Sequence, residues 1–135
     1  REELKQLTGE LGLDDAVVFA GAVDNIAEFV DNIAVLAVPS HGEPFGRCVV
    51  EGLAAARPVV SWNVGGPSEI INHDRTGILI EPYDIHAFAQ AIVRLLKNRK
   101  EALDMGVAGR TDAVSRFHRQ RTVEEIQRIY EEVLR

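Results

Sequence analysis

His41-Gly42-Glu43-Pro44-Phe45-Gly46-Arg47-Cys48-Val49-Val50-Glu51 runs from a Gly/Pro-rich turn into an apolar helix. The apolar run Val35-Leu36-Ala37-Val38-Pro39 precedes it and reads as a buried strand. The stretch itself opens an apolar helix, from about Phe45 to Ala56. A strand that feeds a helix through a short Gly/Pro-rich turn sets the helix N-terminus at the strand's carboxyl end. In open parallel sheets, ligands sit at that edge. The first helical N–H groups lack partners and carry partial positive charge, so they suit an anion. Gly46 allows a ligand close to the backbone, and Pro44 stiffens the turn.

Glu43 lies in the turn and Glu51 lies two helical turns further in, with seven residues between them. The neighbours of Glu51, from Cys48 to Ala56, are nearly all apolar. An unpaired buried charge is too costly, so Glu51 must face a polar cleft or a paired donor. Two carboxylates flanking a helix N-terminus suit a ligand that carries sugar hydroxyls and a phosphate. The carboxylates accept from the hydroxyls, and the N–H groups take the phosphate. Each acid also has a plainer reading. Glu43 alone serves equally as a first-turn acid complementing the helix dipole. Glu51 alone serves as a rim residue in a salt bridge. The joint pattern, placed after a strand, favours the ligand.

Upstream, Leu4, Leu7 and Leu11 mark a helix ended by Gly12 with Leu13 behind it. Val17-Val18-Phe19-Ala20 reads as a strand closed by Gly21. Asn25 and Glu28 form a capping box for a short helix with Ile26, Phe29, Val30 and Ile33 inward. Downstream, Val59-Val60-Ser61-Trp62 is a strand, and Asn63 to Gly66 a turn. Gly66, Pro67 and Glu69 read as the cap, first and third positions of a helix. Asp74 to Gly77 is a turn before the strand Ile78-Leu79-Ile80. Asp84 caps a long helix with Ile85, Phe88, Ala89, Ile92, Val93 and Leu96 inward. Arg99 to Arg135 is helical in pieces. Thr122 and Glu125 match a capping box, and Glu124, Glu125, Arg128, Glu131, Glu132 and Arg135 form a solvated charged face. Strands alternate with helices through short links, which specifies an α/β fold with a covered parallel sheet.

Composition narrows the function. The 135 residues fit one domain, and 46% hydrophobic content supports a core. A net charge of −6 with no basic stripe argues against nucleic acid as a partner. The single cysteine, Cys48, excludes an internal disulfide, fits a reducing compartment and reads as a buried helix residue. No apolar run reaches the length of a membrane span. The first residue is Arg1, already in a helical pattern, so the chain reads as a fragment of a longer protein. His41, His73, His86 and His118 lack zinc-like spacing. The last three read as surface residues, whereas His41 borders the key turn and is a candidate to touch substrate. Gly65-Gly66 lies between a strand and a helix and is a candidate cleft wall, although a lone pair of glycines is more often a turn. It completes no dinucleotide fingerprint, and no phosphate loop, nucleophile elbow or Cys/His pair occurs.

Glu43-Pro44-Phe45-Gly46 with Glu51 resembles the Glu–seven residues–Glu motif of the retaining glycosyltransferases of family 4, the glycosyl transferases group 1, which have the GT-B fold. The resemblance continues through Pro58-Val59-Val60, Val64-Gly65-Gly66-Pro67-Ser68-Glu69-Ile70 and Thr76-Gly77-Ile78-Leu79-Ile80, and covers essentially the whole chain. It is to the later part of the C-terminal, nucleotide-sugar-binding domain. The implied activity is transfer of a sugar from a nucleoside diphosphate donor to an acceptor hydroxyl. Glu51 would hold the ribose hydroxyls, and Glu43, as the catalytic candidate, the donor sugar. Pro44, Phe45, Gly46 and Arg47 would support the sugar and diphosphate, with His41, Gly65 and Gly66 at the cleft. No cofactor or protein-bound metal is implied. The family's basic pair that neutralises the phosphates has no match here. The fragment is therefore expected to be inactive without its N-terminal domain. The expected location is the cytoplasm, or the membrane surface in the full-length enzyme.

The resemblance also maps the strands at Val17, Val35, Val59 and Ile78 onto the third to sixth of a doubly wound sheet of order 3-2-1-4-5-6. The first two strands are absent, which leaves the Val35 strand as an open edge. The expectation is self-association through that edge, or movement of the Val17 strand beside it. The family places Gly where the central helix ends, and this chain has Ala56-Arg57. Ala in a left-handed cap costs about 1 kcal/mol relative to Gly. Two rivals stay open: a GT-B-like sugar-nucleotide epimerase or hydrolase, and a non-catalytic interaction domain that kept the fold.

Overall fold

The computed structural model describes residues 1–134. Among them lie α1 (Glu2–Glu10), α2 (Ile26–Asp31), β1 (Leu36–Val38), α3 (Arg47–Ala54), β2 (Val59–Trp62) and α4 (Gly66–Ile70). They are followed by β3 (Ile78–Ile80), α5 (Ile85–Lys97), α6 (Arg99–Phe117) and α7 (Arg119–Val133). The sheet is parallel, in the order β1-β2-β3. Leu36 pairs with Val59, and Val60 with Ile78. Every residue of β2 is buried, because both of its faces are covered. Val59 packs with Val38, Val49, Leu53, Ile70, Ile71 and Ala113. Val60 and Trp62 pack on the other face with Ile78, Phe88, Ala91, Leu95 and Met105. This is the expected partial doubly wound α/β arrangement.

Val17 to Ala20 is not a strand. Val17 N–H donates to the Leu13 carbonyl (3.0 Å), continuing the turn after α1, and Val18 is 87% exposed. A strand requires a neighbour to complete its ladder, and none lies beside this segment. It has not moved beside Val35, so β1 is an edge of the sheet. The stripe on α5 is also displaced. Phe88, Ala91 and Leu95 are buried, while Ile85, Val93 and Leu96 are exposed and Ala89 with them. The apolar residues of α5 cover more than one face, so their pattern does not centre the stripe.

Some local signals hold as read. Asn25 Oδ1 accepts from Glu28 N–H (3.2 Å), and Asp84 Oδ1 from Ala87 N–H (2.9 Å). On α2, however, only Val30 is buried, and Ile26 and Phe29 are partly open. Thr122 and Glu125 do not cap a helix. His118, with an extended backbone, separates α6 from α7 and takes the capping position itself. No α7 side chain is buried among the described residues. Arg121–Glu125 and Arg128–Glu132 pair along its solvated face, while Arg135 lies outside the described residues.

The end of α3 settles one expectation. Ala56 has φ 56°, its N–H donates to the Leu53 carbonyl, and Arg57 N–H donates to the Gly52 carbonyl. This is a Schellman cap with Ala in the left-handed position. Ala56→Gly is expected to stabilise the fold by about 0.5–1 kcal/mol, after allowance for the added freedom of the unfolded chain. Urea denaturation gives the value, and a decrease would show that Ala56 carries no strain.

Candidate donor site

The turn after β1 is built from its own residues. Gly46, with φ 95°, is the N-cap of α3, so the helix starts at Arg47 and not at Phe45. Glu43 is half-buried and folds back so that Oε1 accepts from Gly46 N–H (3.1 Å). One of the expected ligand donors is therefore already paired with one of the expected ligand acceptors. A Cβ on Gly46 would lie 3.3 Å from Ile70 Cδ1, so that side of Gly46 faces α4 and not a ligand. Pro44 and Arg47 are exposed. Phe45 is exposed as well and meets Phe117, at the end of α6, edge to face at 6.1 Å.

Gly65 and Gly66 close on this turn, and the backbone they approach is the protein's own. Gly66 N–H donates to the Glu43 carbonyl (2.9 Å). A Cβ on Gly65 would lie 2.6 Å from the Glu43 oxygen, and one on Gly66 1.9 Å from the Phe45 oxygen. The N-cap of α4 is Gly65, one residue earlier than its sequence indicates. Arg116 fixes the far end of this short helix by donating to the carbonyls of Glu69 and Ile70 (2.9 and 3.0 Å). The loops after β1 and β2 thus form one interlocked rim at the carboxyl edge of the sheet.

Glu51 is 32% exposed in its side chain and pairs with Arg47 Nε at 3.2 Å, one helical turn earlier. It borders a groove of about 340 Å³ between α2 and α3, with Val30, Ala55 and Arg110. Glu43 does not line that groove. Cys48 lies on α3 between the two acids, and its thiol is pushed up by burial and then by the nearby Glu43 carboxylate. A thiol held protonated in this way is a poor nucleophile. His41 is exposed and stacks on Tyr83 from the loop after β3, with ring centroids 4.8 Å apart. The sequence reading missed Tyr83. The signal lies in Glu81-Pro82-Tyr83-Asp84, where Pro opens a turn and its next position favours Gly.

A larger concavity, about 710 Å³, lies near Asp74, Arg94 and Glu101, before β3 and so at the opposite end of the sheet. Its charges other than Arg75 pair with one another. Arg94 is bonded to Glu101 and Asp74, and Lys100 to Asp104. The carboxylate of Glu101 raises the Arg94 guanidinium further above its ordinary value. No group of three His, Cys, Asp or Glu residues able to hold a metal occurs among the described residues.

Residues 1–112 match the family model of the glycosyl transferases group 1. The chain belongs to that family. A curated relative, D-inositol 3-phosphate glycosyltransferase from Acidothermus cellulolyticus, is 37% identical over 98% of this chain and 30% of its own length. The structure matches sucrose-phosphate synthase from Thermosynechococcus elongatus with a TM-score of 0.93 and 30% identity, over 98% of this chain and 34% of that one. It matches HepE of Anabaena, solved in complex with UDP-glucose, with a TM-score of 0.87 and 28% identity, over 98% and 36% of the two chains. This group 1 chain therefore spans about a third of the length of the proteins it resembles. No helix among the described residues is long and apolar enough to cross a membrane.

Proposed function

We propose that this chain is the later half of the donor-binding domain of a retaining glycosyltransferase, residues 1–135 forming one unit. The full enzyme moves a sugar from a nucleoside diphosphate to an acceptor hydroxyl, in the cytoplasm or at the membrane surface. The observation that carries this reading is the interlocked rim: Glu43 at a helix N-terminus, held by the Gly65-Gly66 loop at the carboxyl edge of a parallel sheet. Group 1 membership and the UDP and UDP-glucose complexes of the Anabaena relative support the same ligand class.

In the reaction, the bond from the sugar's anomeric carbon to the diphosphate breaks, a bond to the acceptor oxygen forms on the same face, and the acceptor hydroxyl's proton passes to the departing diphosphate. Positive charge develops on the sugar ring, and negative charge on the departing phosphate. Glu43, released from Gly46 N–H, accepts from donor-sugar hydroxyls and offers its charge to the ring. Gly46 N–H, the Phe45 N–H and Arg47 then face the diphosphate, where fixed donors stabilise the leaving group. Glu51 exchanges Arg47 for the ribose hydroxyls. The remaining phosphate neutralisation and the acceptor site come from the opposing domain and from earlier parts of this one.

Glu43→Gln tests the assignment. The amide oxygen can still accept from Gly46 N–H, so the turn is expected to persist while the charge is lost. Turnover is expected to fall at least about tenfold, in line with loss of one transition-state contact. The dissociation constant of the nucleoside diphosphate is expected to change less than about twofold, because the charge faces the sugar and not the nucleotide. A raised dissociation constant with intact turnover would exchange the roles of Glu43 and Glu51.

A further inference from the structure

Tyr83 is held in a conformation that its residue type disfavours. Its φ is 71°, in the left-handed region where an aromatic residue is strained. The turn Glu81-Pro82-Tyr83-Asp84 closes with Asp84 N–H donating to the Glu81 carbonyl (3.1 Å), and Ile85 N–H donates to the Tyr83 carbonyl (2.9 Å). Pro at the second position and a positive φ at the third make a turn whose third position calls for Gly. Burial does not offset the strain, since Tyr83 is 72% exposed. Its ring stacks on His41, itself exposed, at 4.8 Å and 19°.

The two rings come from different loops, after β1 and after β3, and so from the carboxyl edge that also carries Glu43. His41 stands two residues before Glu43. We infer that the His41–Tyr83 stack is a platform for a carbohydrate ring on the sugar side of the donor site. A pyranose has a face of C–H groups that lies against the electron-rich face of an aromatic ring, while its hydroxyls point outward. Glu43, once released from Gly46 N–H, would receive such hydroxyls from the same edge. The ring belongs either to the donor's sugar or to a carbohydrate acceptor. This inference rests on the donor-site reading of Glu43.

The test compares wild-type full-length enzyme with Tyr83→Gly and Tyr83→Phe. It uses thermal unfolding, calorimetry with UDP and with UDP-glucose, and kinetics with a panel of alkyl pyranoside acceptors. Tyr83→Gly is expected to unfold at the same temperature or higher, because Gly suits this φ. It is expected to keep its affinity for UDP. It is expected to lose about tenfold either in affinity for UDP-glucose or in acceptor KM, the scale of one ring-stacking contact. Tyr83→Phe keeps both. A loss with UDP-glucose assigns the donor's ring, and a raised acceptor KM assigns the acceptor's. Wild-type UDP affinity with both sugar readouts unchanged overturns the platform and leaves the donor site standing. A lower unfolding temperature with UDP affinity lost in parallel gives Tyr83 a purely structural role and also overturns it. Wild-type enzyme that binds none of UDP, GDP, ADP and their glucose conjugates defeats the donor-site reading, and the platform with it.

Discussion

Gly66→Ala is expected to destabilise the fold by about 3 kcal/mol or more, at the upper end of overpacking effects. The added Cβ would sit 1.9 Å from the Phe45 carbonyl oxygen and 2.2 Å from its carbon. Both are backbone atoms, so no rotamer change relieves the overlap. The loop after β2 must separate from the loop after β1, and the bond from Gly66 N–H to the Glu43 carbonyl is lost with it. Pro67 and Ile70, which are buried just beyond, must move as well. Urea denaturation with an unchanged m-value measures the loss. A change below about 1 kcal/mol, the centre of ordinary point-mutation effects, would mean that the two loops are not interlocked.

Glu51→Ala is expected to weaken nucleoside diphosphate binding by the full-length enzyme by about 1.5–3 kcal/mol, the value of a hydrogen bond to a charged group. Its effect on folding is expected to be small, because its partner Arg47 is 87% exposed and surface ion pairs contribute about 0–1 kcal/mol. The contrast separates the two roles open to this residue. A rim salt bridge would give a small stability change and no change in affinity. A ribose contact would give a large change in affinity at nearly constant stability. Calorimetry showing unchanged UDP affinity would end the ribose assignment.

The strands β1, β2 and β3 and the turn around Glu43 were legible because their signals are local: an apolar run, a Gly/Pro break, a capping residue. Asp84 and Asn25 announce their helices for the same reason. Val17 to Ala20 has the composition of a strand, but strand formation depends on a neighbour, which composition does not report. The orientation of α5 is fixed by Met105 on α6 and by the sheet, and its own apolar residues surround too much of the helix to show it. At the site, the motif located Glu43, Gly46 and Glu51 on one turn and one helix. It did not show that Glu43 turns inward onto Gly46, that Glu51 pairs with Arg47, or that Gly65 and Gly66 serve a backbone approach within the protein. Those depend on loops meeting in space. Tyr83 was not legible because a Pro-led turn with positive φ at its third position is signalled by Gly, and Tyr stands there instead.

The stop of α3 makes the helix answerable to a remote part of the chain. α1 ends on Gly12, and the information for that stop is complete once a few residues have been made. α3 ends on Ala56, whose Cβ disfavours the left-handed backbone that makes the stop, and whose carbonyl lies where a Cβ on Gly106 would be only 2.1 Å away. The helix that secures this end is α6, which also brings Gly109 against Leu53. The end of α3 is thus held from two sides, by its own cap and by a helix from a distant part of the chain. A change at Gly106 or Gly109 is therefore expected to reach the site's own helix through its far end, although neither residue lies near the donor turn in sequence.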